Sequence, residues 1–181
     1  MATVLVPLAQ GCEELEAVTI IDLLRRADIT VVVAGLEEGP VIASRGVVLL
    51  PEVGLDSVLD RDFDLVVLPG GLGGAQRLEA DQRIAALLRR QTEQGRYVAA
   101  ICAAPRVLAS AGLLNYREAT AYPGILDDRS EIRLSAAAVV RDGTFITSRG
   151  PGTAMDFALT LIEILCDRDT RDRVEAALQR P

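Results

Sequence analysis

Residues 97–105, which read YVAAICAAP, predict a buried strand that ends at a cysteine and leads directly into a helix. Tyr97 to Ile101 is an apolar run rich in strand-forming residues, and residues 104, 107, 108 and 111 are apolar at helical spacing. Pro105 fits the first turn of a helix, where a missing N–H costs nothing. Cys102 is therefore expected on a sharp turn, at the carboxyl end of a strand and the N-terminal end of a helix.

That position favours an ionised thiol at Cys102. The helix end carries a partial positive charge, and its free backbone N–H groups can bind an anion. The arrangement is similar to a nucleophile elbow with cysteine in place of serine. The alternative is a buried structural cysteine, which is the commoner situation for an intracellular protein.

The chain on either side of this stretch alternates between strands and helices. Strands are predicted at 3–8, 29–34 and 64–68, helices at about 14–27, 81–94 and after residue 153, and a hairpin across Asp142-Gly143. Several strands are apolar on both faces, as in a parallel sheet that helices cover on each side. We therefore predict an α/β fold with a doubly wound, mostly parallel sheet, in one domain over residues 1–181.

Chemistry-bearing residues cluster where ligands bind in such folds, beyond the carboxyl ends of the strands. The Gly70-Gly71 turn, Cys102 and residues 148–153 all follow predicted strands. Glycines in this turn permit close backbone approach to a ligand, although a plain tight turn explains them equally. Glu16 lies on the apolar stripe of the first helix, so its carboxyl is expected to point inward, where it needs a partner or a proton. An acid that simply favours the helix dipole is the alternative.

Composition narrows the chemistry further. The net charge of −7 argues against nucleic acid or an anionic membrane as a partner. The 181 residues contain no His and no Lys, so catalysis must use Cys, Asp, Glu, Tyr, Arg or backbone groups. The sequence shows no pattern of metal ligands, and we expect neither a metal nor a cofactor.

The three cysteines, Cys12, Cys102 and Cys166, have no paired spacing, which is typical of free thiols in a reducing compartment. We predict Cys12 in a loop near the site and Cys166 in the core. No signal peptide and no membrane-spanning segment is recognisable, so a cytoplasmic location is expected.

Five stretches, taken together and in order, resemble the ThiJ/PfpI superfamily, in particular its Parkinson-disease-associated deglycase (DJ-one) branch. They are GCEELE at 11–16, LLRRA at 23–27, VLPGG at 67–71, AAICAAP at 99–105 and TSRGPGT at 147–153. The resemblance covers nearly the whole chain. It implies a flavodoxin-like three-layer sandwich, a homodimer and no cofactor.

The same resemblance implies roles for individual residues. Cys102 would be a reactive cysteine in a strained backbone conformation, and Glu16 would be protonated and hydrogen-bonded to its sulfur. The backbone N–H groups of Gly71 and Ala103 would form an oxyanion site. Three charged positions match the surroundings of the dimer interface and the pocket rim: Asp22, Arg26 and Arg45.

For function, the resemblance implies a cysteine-dependent enzyme that acts on small reactive carbonyls, either converting methylglyoxal to lactate or removing early glyoxal adducts from proteins. The alternative is a non-catalytic redox sensor or chaperone that responds to oxidation of Cys102. Many relatives carry a histidine where this chain has Tyr122. The protease-like branch has histidine directly after the cysteine, where this chain has Ala103, so peptidase activity is not expected.

Overall fold

The computed structural model describes residues 2–180, and it forms one main sheet with helices on both faces. The strands of the described chain are β1 (Thr3–Leu8), β2 (Thr30–Gly35), β3 (Val41–Ile42), β4 (Val48–Leu49), β5 (Val53–Gly54), β6 (Leu65–Leu68), β7 (Tyr97–Ile101), β8 (Glu118–Ala119), β9 (Arg133–Leu134), β10 (Val139–Asp142) and β11 (Phe145–Ser148).

The main sheet has the strand order β10-β11-β7-β6-β1-β2-β5 within the described residues. Every neighbouring pair is parallel except the β10–β11 hairpin. Strands β3 and β4 form a separate hairpin, and β8 pairs with β9. The predicted α/β fold with a mostly parallel sheet is therefore confirmed.

Six helices of the described chain cover the sheet: α1 (Glu14–Arg26), α2 (Leu72–Ala80), α3 (Gln82–Glu93), α4 (Pro105–Ser110), α5 (Ala154–Leu165) and α6 (Arg168–Ala177). Alternate strand residues point to opposite faces of the sheet, so each strand contributes side chains to two hydrophobic cores, one on each face. Val4 and Val6 belong to the core beneath α1 and α5, whereas Leu5 belongs to the core beneath α3 and α4.

Two local expectations differ from the structure. Helix α2 begins at Leu72, inside the glycine-rich stretch predicted as a turn, and is followed at once by α3. Cys166 was predicted in the core, but it is exposed. The reason is that α5 ends at Leu165, so Cys166 has already left the helical stripe that packs on the sheet. Among residues 2–180 no helix is both long and apolar enough to cross a membrane.

Candidate active site

Cys102 lies at the turn between β7 and α4 in a backbone conformation that is rare for residues with a side chain. Its φ angle is 64°, in the left-handed region. The turn is held by two backbone hydrogen bonds: the Cys102 N–H donates to Ser148 O, and the Tyr122 N–H donates to Cys102 O, each at 2.9 Å. Strain of this kind persists only where the surroundings impose it, and it is concentrated at functional sites.

The sulfur of Cys102 receives hydrogen bonds from two backbone N–H groups, those of Gly71 and Ala103. Gly71 can present its N–H because its φ of 83° places it in the left-handed region that favours glycine. A Cβ at Gly71 would also lie 2.5 Å from both Glu13 N and Gly11 O. The structure thus brings together the two donors predicted for an oxyanion site.

Glu16 lies in the first turn of α1 and is completely buried, as the helical spacing predicted. Its Oε2 accepts a hydrogen bond from the Gly70 N–H at 2.8 Å. The carboxyl also shares a hydrogen bond with the Cys102 side chain. Glu16 and Cys102 therefore form a buried acid–thiol pair with Gly70 packed between them.

Glu16 and Cys102 each affect the pKa of the other. Burial raises the pKa of Glu16 from 4.5 to about 7, although hydrogen bonds from Cys102 and Gly70 lower it. Burial, followed by the negative charge of Glu16, raises the pKa of Cys102 to about 12, and the Gly71 and Ala103 N–H groups only partly oppose this. The helix end and the two amides therefore do not by themselves lower the pKa of Cys102, although the position of the cysteine had predicted this. A thiolate at neutral pH requires that Glu16 keep its proton.

The raised pKa of Glu16 makes a prediction about stability. Between about pH 4.5 and 7 the unfolded chain releases this proton while the folded chain retains it, so stability falls as the pH rises. Replacing Glu16 by Gln removes the buried charge. We expect Glu16→Gln to raise the free energy of unfolding at pH 8 by about 3 kcal/mol, with the gain vanishing near pH 4.5. Urea denaturation across this pH range measures it.

Glu14→Gln is the matched control from the same helical turn. Although desolvation raises the pKa of Glu14, hydrogen bonds from its own backbone N–H, the Ser44 hydroxyl and the Arg45 N–H lower it overall. Its charge therefore stabilises the folded state at high pH, and Glu14→Gln should destabilise at pH 8. If Glu16→Gln does not stabilise the fold at pH 8, or destabilises it as Glu14→Gln should, Glu16 does not carry a raised pKa.

Sequence reasoning missed the part played by residues 148–153. Ser148 is buried, and its hydroxyl bridges Ala138 O and the Thr153 hydroxyl, which fixes the start of the loop next to Cys102. The half-exposed Tyr122 ring lies against Gly150, where a Cβ would be 3.3 Å from a ring carbon. The sequence signalled this loop through its position at a strand end and through the TSRGPGT stretch of the family resemblance, but neither signal predicted these contacts.

Asp22, Arg26 and Arg45 lie apart from the acid–thiol pair, whereas Cys12 lies in the loop before α1 and packs beside Gly71, where a Cβ would be 2.7 Å from Cys12 C. Asp22 and Arg26 form an ion pair of 2.7 Å on α1, and the Arg45 N–H donates to Glu14. No hydrogen bond or ion pair within residues 2–180 joins these three positions to Cys102. Cys12 is buried, and burial together with the Glu14 charge raises its pKa to about 11, so this thiol stays protonated.

No group of three or more His, Cys, Asp or Glu side chains in the described part of the chain is arranged to hold a metal ion. The donors around Cys102 are backbone N–H groups, which suit an anion and not a cation. The site thus brings a cysteine sulfur together with a buried acid whose pKa is about 7 and with two backbone N–H groups.

The chain is similar to known proteins over most of its length. The profile of the DJ-1/PfpI family matches residues 2–164. The chain belongs to the DJ-1/PfpI family. It is 44% identical over 177 residues to Protein dj-1beta of Drosophila melanogaster, which covers 96% of this chain and 95% of that protein.

Other members of the DJ-1/PfpI family differ in length and in name. The chain is 45% identical to Protein DJ-1 homolog B of Arabidopsis thaliana over 92% of its own length but only 38% of that longer protein. It is 35% identical to a Caenorhabditis elegans protein named glutathione-independent glyoxalase DJR-1.2, covering 91% of this chain and 88% of that one. Among solved structures, oxidized Toxoplasma gondii DJ-1 superposes with a TM-score of 0.95 at 39% identity, over 98% of both chains.

Proposed function

We propose that this DJ-1/PfpI protein converts small α-oxoaldehydes such as methylglyoxal into 2-hydroxy acids, with Cys102 as the nucleophile. The observation that carries the proposal is the buried pair of Glu16 and Cys102, in which the acid has a pKa of about 7. A general acid–base group works best when its pKa lies near the working pH. Membership of a family with a glyoxalase-named member gives further support.

The first step is attack of the Cys102 thiolate on the aldehyde carbon. A carbon–sulfur bond forms, and the carbonyl oxygen becomes negative. The N–H groups of Gly71 and Ala103 are placed to bind this oxygen, because they already hydrogen-bond to the sulfur. Glu16 then gives its proton to the oxygen, which yields a hemithioacetal and leaves the carboxylate ready to act as a base.

The second step moves two protons within the substrate. Glu16 removes the proton from the carbon bonded to sulfur, which gives an enediol, and returns it to the neighbouring carbon. The proton of the hemithioacetal hydroxyl passes to the neighbouring oxygen, so the first carbon becomes a thioester carbonyl and the second carries the new hydroxyl. Water cleaves the thioester to a 2-hydroxy acid and restores the thiol. One carbon is oxidised while its neighbour is reduced, so the overall reaction adds only one water and requires no external oxidant.

The experiment that tests this proposal is lactate formation from methylglyoxal by the purified protein, without added cofactor or thiol. Quantifying lactate by mass spectrometry separates turnover from simple covalent capture of the aldehyde. We expect many lactate molecules for each protein molecule. Loss of methylglyoxal with at most one equivalent of adduct, and no lactate, would defeat the enzymatic proposal.

A second proposal is that Cys102 acts as a redox sensor. Peroxide oxidises a thiolate to the sulfenate with loss of water, and a second peroxide gives the sulfinate. The same two N–H groups, with the Glu16 proton, suit the sulfinate oxygens. Mass spectrometry after mild peroxide should locate the first added oxygen on Cys102. Prior oxidation at exposed Cys166 would contradict the sensor.

We also propose that the protein forms a homodimer through α1 and the β3–β4 hairpin. Both elements expose apolar side chains to solvent: Leu15, Val18, Ile42, Val48 and Leu50. Glu14 holds the hairpin against α1 by accepting hydrogen bonds from Ser44 and Arg45. These contacts hold the hairpin next to α1, and burial of exposed apolar side chains on both elements would drive association.

A charge placed among these apolar side chains tests the dimer. We expect sedimentation equilibrium to give the mass of two chains for the wild type and at least tenfold weaker association for Val18→Glu, because burying an unpaired carboxylate is costly. Tyr116→Glu, which adds the same charge at an exposed aromatic outside α1 and the hairpin, is the control. If Val18→Glu and Tyr116→Glu weaken association equally, the dimer interface lies elsewhere.

A further inference from the structure

Tyr122, whose backbone N–H donates to Cys102 O, lines a cavity of about 280 Å³. Its walls are mainly apolar and include Pro123, Leu126 and Leu134. A second cavity, of about 200 Å³, is bounded by the loop 149–153 that follows Ser148. Tyr122, Pro123 and Arg149 line both cavities, so the two adjoin along these side chains.

We call the two adjoining cavities the Tyr122–Arg149 groove. Backbone hydrogen bonds link residues on both of its sides to Cys102. The Tyr122 N–H donates to Cys102 O, and Ser148 O, one residue before Arg149, accepts from the Cys102 N–H. Cys102 itself lines neither cavity, so the groove is suited to the end of a substrate that is remote from the sulfur. The groove is large enough to take an extension of the substrate that methylglyoxal lacks.

Among the described residues that line this groove, Arg149 is the only cation. Its guanidinium makes one side-chain hydrogen bond, from Nη1 to Ala136 O at 3.1 Å, and no acid within residues 2–180 forms an ion pair with it. Most of its N–H donors are therefore free. Asp127 also lines the larger cavity, but it is exposed, so solvent screens its charge more effectively than that of the half-buried Arg149.

We propose that Arg149 binds a carboxylate at the far end of the substrate, so that the protein prefers α-oxoaldehydes with an acidic tail over neutral methylglyoxal. The guanidinium fork matches a carboxylate with two parallel hydrogen bonds. The apolar wall by Pro123 and Leu126 suits the methylene groups between the two ends. This inference rests on the proposed function at Cys102 and names the substrate class of that same site.

The kinetic test compares 4,5-dioxopentanoate, an α-oxoaldehyde with a carboxylate tail, with methylglyoxal. We expect Arg149→Gln to lower the ratio of their kcat/KM values at least tenfold, and Arg149→Lys to restore part of it because a point charge remains. Arg141→Gln makes the same charge change on the same hairpin, but Arg141 lies over the Tyr97 ring and should leave the ratio unchanged. An unaltered ratio in Arg149→Gln would overturn the proposal.

A binding measurement separates failure of this inference from failure of the proposed function. Calorimetry with 4-oxopentanoate, which keeps the carboxylate but has no aldehyde, reports the tail site without turnover. We expect binding by wild type and Arg141→Gln and at least tenfold weaker binding by Arg149→Gln. If no substrate is turned over but this pattern holds, only the enzymatic proposal fails. If wild type does not bind 4-oxopentanoate, or Arg149→Gln binds it equally, the Arg149 site is wrong.

Discussion

Replacing Cys102 by Ser is expected to abolish lactate formation, with a loss of at least about 10³-fold in kcat/KM. A serine hydroxyl at this position has no activating base, since the nearest titratable group is the Glu16 carboxyl, which must stay protonated while the nucleophile is charged. A 10³-fold loss corresponds to about 4 kcal/mol of transition-state stabilisation. Initial rates of lactate production at several methylglyoxal concentrations measure this change.

Cys166→Ser is the matched control for this change. It replaces the same atoms at an exposed thiol at the end of α5, outside every contact of the site, and should retain the wild-type rate. The serine hydroxyl is smaller than the thiol but can accept hydrogen bonds from the same Gly71 and Ala103 N–H groups, so Cys102→Ser should keep the wild-type melting temperature within a few degrees. Lactate production by Cys102→Ser at more than a tenth of the wild-type rate would mean that another group is the nucleophile.

The elements that hold the reacting groups could be predicted from local sequence. The apolar run of β7, the cysteine that ends it and Pro105 in the next helix predicted the turn at Cys102. The helical spacing of α1 predicted that Glu16 points inward, and it is fully buried. Both predictions depend on periodicity over neighbouring residues, which the sequence contains in full. The donors Gly71 and Ala103 came from the family resemblance and not from the pattern.

Features that depend on contacts between residues far apart in sequence could not be predicted from local sequence. Helix α2 begins at Leu72 with Gly73 and Gly74, although glycine is a poor helix former. A Cβ at Gly74 would lie 2.7 Å from Cys12 Cα, so the close packing of α2 against the loop at Cys12 requires glycine there. The pKa of Cys102 depends on burial and on Glu16, which is far away in sequence, and local reasoning about a helix end gave the opposite direction.

The surroundings of Gly70 also depend on residues far apart in sequence, and they lead to the second prediction with a large effect. A Cβ at Gly70 would lie 2.5 Å from Glu16 Oε2, 2.6 Å from Cys102 Cβ and 2.8 Å from Ile101 O. Two of these atoms belong to the β7–α4 turn, which cannot move without breaking its hydrogen bonds. We therefore expect Gly70→Ala to destabilise the fold by about 3 kcal/mol, which is typical of overpacking in a core. Urea denaturation at pH 7 measures this loss.

Gly54→Ala is the control for the glycine change itself. Gly54 has an ordinary extended φ of −77°, and a Cβ there meets nothing within 4 Å, so its effect on stability should stay within about 0.5 kcal/mol. The methyl group at Gly70 also forces Glu16 and Cys102 apart. Gly70→Ala should therefore lose lactate formation even at temperatures where it remains folded. A folded Gly70→Ala with full activity would show that the proton on Glu16 does not act through direct contact with the sulfur.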